Sequence, residues 1–235
     1  MIVGIPSYKR AGKVKTLKFL QGAFSKDELI IATQTEEEFQ KYSELYGEEA
    51  TVIFAEAHSC GEARNNILNY CEANGKKEVL FLDDDISFLV TISNKKLYGN
   101  EFRKLMEDCF DFCRKNNVTL FGSYAVANSF FMKNSVKRNM VNGMLCGLLD
   151  TSVRYDIKFT TKSDYELSLR LMSKGKRVIR FNNFAPQADA RSKGGCEEIR
   201  ARKEEYFAVA ELLLQAYPTL IKAHPTRKGE VKFIG

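Results

Sequence analysis

The chain has 235 residues, 44% of them hydrophobic, and a formal net charge of +6. That much apolar material fits one large α/β domain spanning 1–235 better than two small ones, and no Pro/Gly/Ser-rich linker divides it. No apolar run is long enough to cross a membrane and the chain enters a strand at Met1-Ile2-Val3 without a signal-peptide pattern, so a soluble, cytoplasmic protein is expected.

The six cysteines form neither a Cys-x-x-Cys pair nor zinc-ligand spacing. They read as reduced core residues; Cys109 and Cys113 stand one helical turn apart beside Phe102, Leu105, Met106 and Phe110. The positive charge is uneven. Between Lys174 and Lys203 there are nine Lys or Arg against three Asp or Glu, a segment that suits a polyanion such as nucleic acid as well as it suits solvent.

In chain order, Ile2-Val3-Gly4-Ile5-Pro6 reads as a short strand, and Ser7-Tyr8-Lys9-Arg10 follows where α/β folds place a first nucleotide-contacting loop. Lys9 and Arg10 suit phosphate and Tyr8 suits a base, although a solvated start to a helix over Lys13 to Leu20 explains them nearly as well. No Gly-x-Gly-x-x-Gly follows, so a dinucleotide fingerprint is absent. Leu29 to Ala32 and Thr51 to Phe54 read as strands flanking a helix from Glu36 to Tyr46. Ser59-x-x-Glu62 has capping-box spacing and predicts a helix toward Asn74, with Arg64 and Asn65 in its first turn. The helix dipole disfavours an Arg there, which points to a phosphate or a nearby acidic cluster; pairing with Glu62 is the plainer account.

Val79-Leu80-Phe81-Leu82 then reads as a buried parallel strand running straight into Asp83-Asp84-Asp85. A buried strand cannot hold three carboxylates internally, so they belong at its carboxyl end, the ligand crevice of open α/β sheets. Alternation would turn Asp83 and Asp85 to one side and Asp84 away, a pair suited to Mg²⁺ or Mn²⁺ shared with substrate phosphate. An acidic turn is the competing reading.

Beyond it, Asn100 to Asn116 reads as a helix, and Thr119 to Gly122, Asn128 to Met132 and Met144 to Leu149 as strands, with Lys133, Lys137 and Arg138 in a basic connection. Gly143 and Gly147 imply close backbone approach or a bulge. Ser163-Asp164-Tyr165-Glu166 opens a helix to Gly175: Ser163 and Glu166 fit a cap, while Asp164 is placed to accept a proton from an attacking hydroxyl. Arg177 to Phe181 is expected as a last strand. A polar loop over Asn182 to Cys196 follows, in which Arg191, Lys193, Gly194 and Gly195 suit phosphate. A helix from Glu197 to Tyr217 closes the chain, and His224 in the tail is a possible third metal ligand or a solvated histidine.

With Asp83-x-Asp85 at a strand end and a carboxylate at a later helix start, the chain resembles GT-A glycosyltransferases, single-domain Rossmann-like folds with a mixed, mostly parallel sheet flanked by helices. Ser163-Asp164-Tyr165-Glu166-Leu167 through Arg170-Leu171 and Gly175 is similar to the Glu-Asp-x-Asp-Leu-x-x-Arg-Leu pattern of inverting members, with Ser163 departing from the usual Glu. A narrower resemblance rests on Ile5-Pro6-Ser7-Tyr8-Lys9-Arg10, Arg64-Asn65, Leu82 to Ile86, Asn128 to Met132 and Gly194-Gly195-Cys196: these are similar to the TET/JBP-associated glycosyltransferases of bacteriophages, which modify 5-hydroxymethylpyrimidines in DNA.

The resemblance implies a nucleotide-sugar-binding half over 1–95, an acceptor half over 96–235, and transfer from a UDP-sugar to hydroxymethylcytosine or a related base in DNA. It implies Asp164 as base and Asp83 and Asp85 as ligands of Mn²⁺ or Mg²⁺. Pro6, Ser7, Tyr8, Arg10, Arg64 and Asp84 join those two in holding the donor; Lys9, Arg177, Arg191, Lys193, Gly194 and Gly195 are implied contacts to phosphate or DNA. A transferase acting on saccharide or lipid-linked acceptors and a noncatalytic DNA-binding module remain alternatives. A haloacid-dehalogenase-like phosphatase is disfavoured because Ile86-Ser87 replaces the usual Gly-Thr, and a nucleotidyltransferase because no Gly-rich, Lys-containing loop follows the first strand.

Overall fold

The computed structural model describes residues 1–20, 22–54, 56–188 and 203–234. Strand and helix alternate through the amino-terminal half: β1 (Ile2–Pro6), α1 (Lys15–Leu20), β2 (Leu29–Thr33), α2 (Glu36–Tyr46), β3 (Thr51–Phe54), α3 (Cys60–Ala73) and β4 (Val79–Leu82). These four strands lie parallel in the order β3, β2, β1, β4. Parallel neighbours need crossovers, and the helices supply them on both faces. That is why β1, β2 and β4 read as continuous apolar runs and are buried at every position.

The later strands extend the same sheet. After β5 (Ile86–Thr91), β6 (Lys96–Leu97) and α4 (Gly99–Lys115) come β7 (Val118–Gly122), β8 (Val136–Arg138), β9 (Leu145–Leu148), α5 (Ser163–Ser173) and β10 (Arg177–Phe181). The sheet continues from β4 through β9, β7 and β10 to β8, with β9 and β8 running against the others. One mixed, mostly parallel sheet therefore runs through both halves of the chain. One face buries Val3, Ile5, Leu80 and Leu82 against Leu17, Tyr42 and Phe102; the other buries Val79 and Phe81 against Ile67, Leu68, Leu167 and Leu171. Gly147 is required for this packing, since a Cβ there would lie 2.1 Å from the Phe121 ring.

Three expectations fail. Asn128 to Met132 is not a strand: Ser129–Phe131 is a 3₁₀ turn capped by the Asn128 side chain, which accepts from the Phe130 N–H at 3.0 Å. The polar loop expected from Asn182 begins instead with β11 (Phe184–Ala188), which pairs antiparallel with β5 at the edge of a small sheet completed by β6. Edge placement accommodates Pro186. The tail is not simply solvated, because β12 (Ile221–Ala223) and β13 (Val231–Phe233) form a hairpin whose Ile221 and Val231 pack with Val209 and Leu213 of α6 (Lys203–Ala216). No helix among the described residues is long and apolar enough to cross a membrane.

Candidate active site

β4 ends at Leu82, and the chain turns through Asp83, Asp84 and Asp85 before β5 begins. α1 clamps this turn. The Thr16 hydroxyl donates to the Asp83 carbonyl at 2.5 Å and accepts from the Ile86 N–H at 3.0 Å, while the Thr16 N–H donates to the Asp84 carbonyl at 3.3 Å. Thr16 is fully buried, and a threonine in a six-residue helix gave no sign of this role in the sequence.

Alternation holds for the first two aspartates. Asp84 turns under the loop after β1, where it accepts from the Ser7 hydroxyl and pairs with Arg10; Ser7 also shares a 2.8 Å hydrogen bond with the Tyr42 hydroxyl. The chain has turned by Asp85, whose carboxylate meets the same Arg10 guanidinium at 3.1 Å. Ser7 and Arg10 are 2% and 7% exposed, so their side chains brace the acidic turn, with Tyr8 and Lys9 more open to solvent. Lys9 has φ +56, and its N–H donates to Glu38. Burial pushes the Asp84 carboxyl up to about 6 against the opposing pull of the Ser7 hydroxyl and Arg10.

Asp83 faces the other way, toward α3. Its carboxylate accepts from Arg64 Nη2 at 3.2 Å, and the same nitrogen donates to the Gly143 carbonyl at 2.9 Å. The Gly143 N–H donates to Asp164 Oδ2 at 2.7 Å, and the Tyr165 N–H to Asp164 Oδ1 at 2.9 Å. One continuous chain of hydrogen bonds thus joins Asp83, Arg64, Gly143 and Asp164. The glycine is a packing requirement: a Cβ at 143 would stand 2.6 Å from Arg64 Nη1. Arg64 is 4% exposed, lies over the Phe81 and Tyr155 rings, and keeps a buried Nε without a hydrogen-bond partner.

Burial pushes the Asp83 carboxyl above its ordinary range; Arg64 opposes that, and nearby Asp85 and Asp164 add to it. Three carboxylates therefore share one electrostatic neighbourhood, and the Asp83 side chain keeps 35% of its surface exposed there.

Arg64 does meet the acidic cluster, and it does not pair with Glu62, whose carboxylate accepts from the His58 N–H at 2.5 Å while Ser59 caps the helix. The second expected cap is absent. Lys162, at φ +54, occupies the N-cap of α5, and Glu166 is buried among Arg170 Nε at 2.8 Å and the Tyr217 hydroxyl at 3.0 Å. Asp164 is therefore free of any capping competition from Ser163 or Glu166.

Arg177 opens β10 and so stands at the sheet edge opposite the aspartates, donating to the Asn116 carbonyl at 3.0 Å. Arg191, Lys193, Gly194 and Gly195 lie outside the described residues; Ala188, the last one before them, pairs with Ile86 next to Asp85. His224 lines a cleft with Tyr165 and Arg180, and its Nδ1 accepts from the Thr226 and Arg227 N–H groups. Among the described residues, no three or more His, Cys, Asp or Glu side chains group as a metal site.

Several solved structures are similar to this chain at 12% identity. A cytidylyltransferase from Leptospira borgpetersenii serovar Hardjo-bovis matches with a TM-score of 0.50, over 95% of this chain and 98% of that one, which shows a common fold. A putative nucleotide-diphospho-sugar transferase from Desulfovibrio desulfuricans G20 matches with a TM-score of 0.46 over 77% of this chain and 80% of that one. A UDP-glucose pyrophosphorylase complexed with UDP-glucose matches with a TM-score of 0.43 over 92% and 100%. No curated protein sequence matches the chain. Residues 1–195, which include β1, the acidic turn, Arg64, Gly143 and Asp164, match the TET-Associated Glycosyltransferase family; the chain belongs to that family and is a glycosyltransferase.

Proposed function

We propose that this site transfers a sugar from a nucleotide sugar, UDP-linked, to the hydroxyl of 5-hydroxymethylcytosine or a related hydroxymethylpyrimidine in DNA. The observation that carries the proposal is the chain Asp83, Arg64, Gly143, Asp164. It sets a partly exposed carboxylate at the strand end in fixed relation to a second one at a helix start. A reaction that must bind a diphosphate and deprotonate a hydroxyl beside it needs that pairing.

Asp83 and Asp85 offer hard oxygen donors, and Asp85 lies near enough to raise the Asp83 carboxyl. Such a pair fits Mg²⁺ or Mn²⁺, which takes few protein ligands and completes its shell with water and substrate phosphate. When bound, the ion neutralises charge on the leaving diphosphate. Pro6 and Ser7 end the first strand beside the acidic turn, Tyr8 and Lys9 offer an open ring and ammonium to the nucleotide, and Arg64 offers a buried donor to an oxygen of the sugar or phosphate. Arg10 and Asp84 hold the turn in shape.

Asp164 accepts the proton of the acceptor hydroxyl while that oxygen bonds to the anomeric carbon and the bond from that carbon to the diphosphate breaks. Its two backbone N–H partners orient the carboxylate without supplying a competing proton. Arg191, Lys193, Gly194 and Gly195 are proposed phosphate contacts near Asp85, and Arg177 a contact to DNA backbone remote from the reacting base. Incubating the protein with Mn²⁺, a panel of nucleotide sugars, and DNA with or without 5-hydroxymethylcytosine, then weighing the nucleosides, tests this. A hexose-sized mass gain confined to modified DNA is expected; transfer to free saccharides and to no DNA overturns the acceptor.

A further inference from the structure

The cleft lined by His224, Tyr165 and Arg180, of about 270 Å³, opens between β10, the start of α5 and the carboxy-terminal hairpin. Its position relative to the aspartates follows from strand register. Arg180 pairs with Gly122, Gly122 with Cys146, and Cys146 with Phe81, so Arg180 stands two residues short of the level of Asp83 at the same sheet edge. Three strand spacings separate them laterally, about 14 Å. Asp164 lies along the way: Tyr165, its neighbour, lines the cleft, and the loop carrying Gly143 to Asp164 begins with Asn139 and Met140 in the cleft wall.

Cations outnumber acids in the wall of the cleft, three Lys or Arg to one Glu. Arg180 is half-buried; its Nε donates to Asn182 Oδ1 at 2.8 Å and its guanidinium lies 5.3 Å from the Tyr124 ring centre. Arg227 and Lys232 reach the same space from the hairpin. Among the described residues, no carboxylate lies within ion-pair distance of Arg180, Arg227 or Lys232. The one acid in the wall, Glu230, is engaged by the Tyr206 hydroxyl and stands 4.0 Å from Lys162. His224 takes the Thr226 and Arg227 N–H groups on Nδ1, which puts its proton on Nε2 as a further donor. Burial lowers the pKa of Arg180, the signature of a charge desolvated without a partner, and an anion relieves that cost.

We propose that this cleft binds a phosphate group of the acceptor, with Arg180, Arg227 and Lys232 as its cationic contacts. Two guanidiniums and an ammonium lining one cleft, from β10 and from the hairpin, suit a multiply charged oxyanion, which guanidiniums grip in pairs of hydrogen bonds. The donor's diphosphate belongs to the acidic turn, about 14 Å away. The assignment to the acceptor rests on Asp164 as the base, because the cleft adjoins that residue.

Labelling with phenylglyoxal, read at Arg180 and Arg227 by mass spectrometry without donor or metal, tests occupancy directly. The probes are inorganic phosphate, thymidine 5′-monophosphate and the phosphodiester thymidylyl-thymidine, with thymidine as the uncharged control. The phosphate-bearing probes are expected to slow labelling of Arg227, which is exposed and reactive, at least fivefold, with thymidine without effect. Protection by the monoesters alone identifies a free phosphorylated acceptor, and protection by the diester as well identifies nucleic acid. Equal labelling under all conditions overturns the proposal.

In the transfer reaction, Arg227→Gln should raise KM for a phosphate-bearing acceptor about tenfold with kcat within twofold, and leave the corresponding nucleoside unaffected. An equal KM for both acceptors in wild type and variant also overturns it. Because labelling involves no sugar transfer, the DNA acceptor can prove wrong while the phosphate cleft stands, and the reverse.

Discussion

At the scale of single residues, the site depends on two residues that touch no reactant, Thr16 and Gly143. Thr16 satisfies a carbonyl and an N–H of the acidic turn with one hydroxyl. Thr16→Val keeps the shape and leaves both backbone groups buried and unpaired, which costs about 1–3 kcal/mol per unsatisfied group. Urea unfolding should show that loss; an unchanged midpoint would mean the turn is held by its neighbours alone. Gly143→Ala pushes a methyl into Arg64, 2.6 Å from Nη1. The guanidinium must move, and both carboxylates hydrogen-bonded along that chain move with it. Misplacement on the order of 1 Å costs about 10²-fold in rate, so transfer should fall steeply while circular dichroism stays native; full activity would separate the chain from catalysis. For Asp164→Asn the expected loss is about 10²–10⁴-fold in kcat, the range of general-base catalysis.

Among the elements, the carboxy-terminal hairpin covers α6. Ile221 and Val231 are 2% and 6% exposed against Leu213, which is fully buried. Ending the chain at residue 219 uncovers that cluster and removes two buried aliphatic side chains, at about 1.5–3 kcal/mol each. A loss of that order in chemical denaturation is expected, and undiminished stability would show the hairpin to be an independent appendage. Elements of this kind were hardest to read from sequence. β1, β2 and β4 stood out because burial on both faces leaves an uninterrupted apolar run. β5 and β11 did not: their partners lie some ninety residues apart, Pro186 argues against a strand, and the aspartates before Ile86 drew that segment into the motif. Asn128–Met132 misled in the opposite direction, because its aromatic run satisfies strand composition while the Asn128 side chain closes a local turn. The α5 cap failed because the buried Glu166 found an arginine and a tyrosine to pair with, which spacing alone cannot reveal.

Across the whole molecule, the cysteines bear out their reading as reduced core residues. Cys71, Cys109, Cys113 and Cys146 are buried free thiols, and burial pushes Cys71 and Cys146 up to about 11. Their thiolate fraction at pH 8 is small, so iodoacetamide should leave both unlabelled in the folded protein; rapid labelling of either would contradict their placement in the core. What the sequence could show was the acidic turn and the two halves of the site. Arg64 and Gly143 were legible singly, the one as an arginine drawn to an acidic cluster and the other as a close backbone approach; that they join the two halves emerged only from the fold, since the loop before β9 and α5 lie far along the chain from α3 and β4. The central claim is that Asp83 serves donor and metal while Asp164 serves the acceptor. Titrating Mn²⁺ and UDP into Asp83→Asn and Asp164→Asn, beside transfer assays of the same preparations, separates the two duties. Asp83→Asn should lose metal-dependent UDP affinity, and Asp164→Asn should bind both like wild type while transferring sugar about 10²–10⁴-fold more slowly; unimpaired UDP binding in the first variant, or unimpaired transfer in the second, contradicts the account.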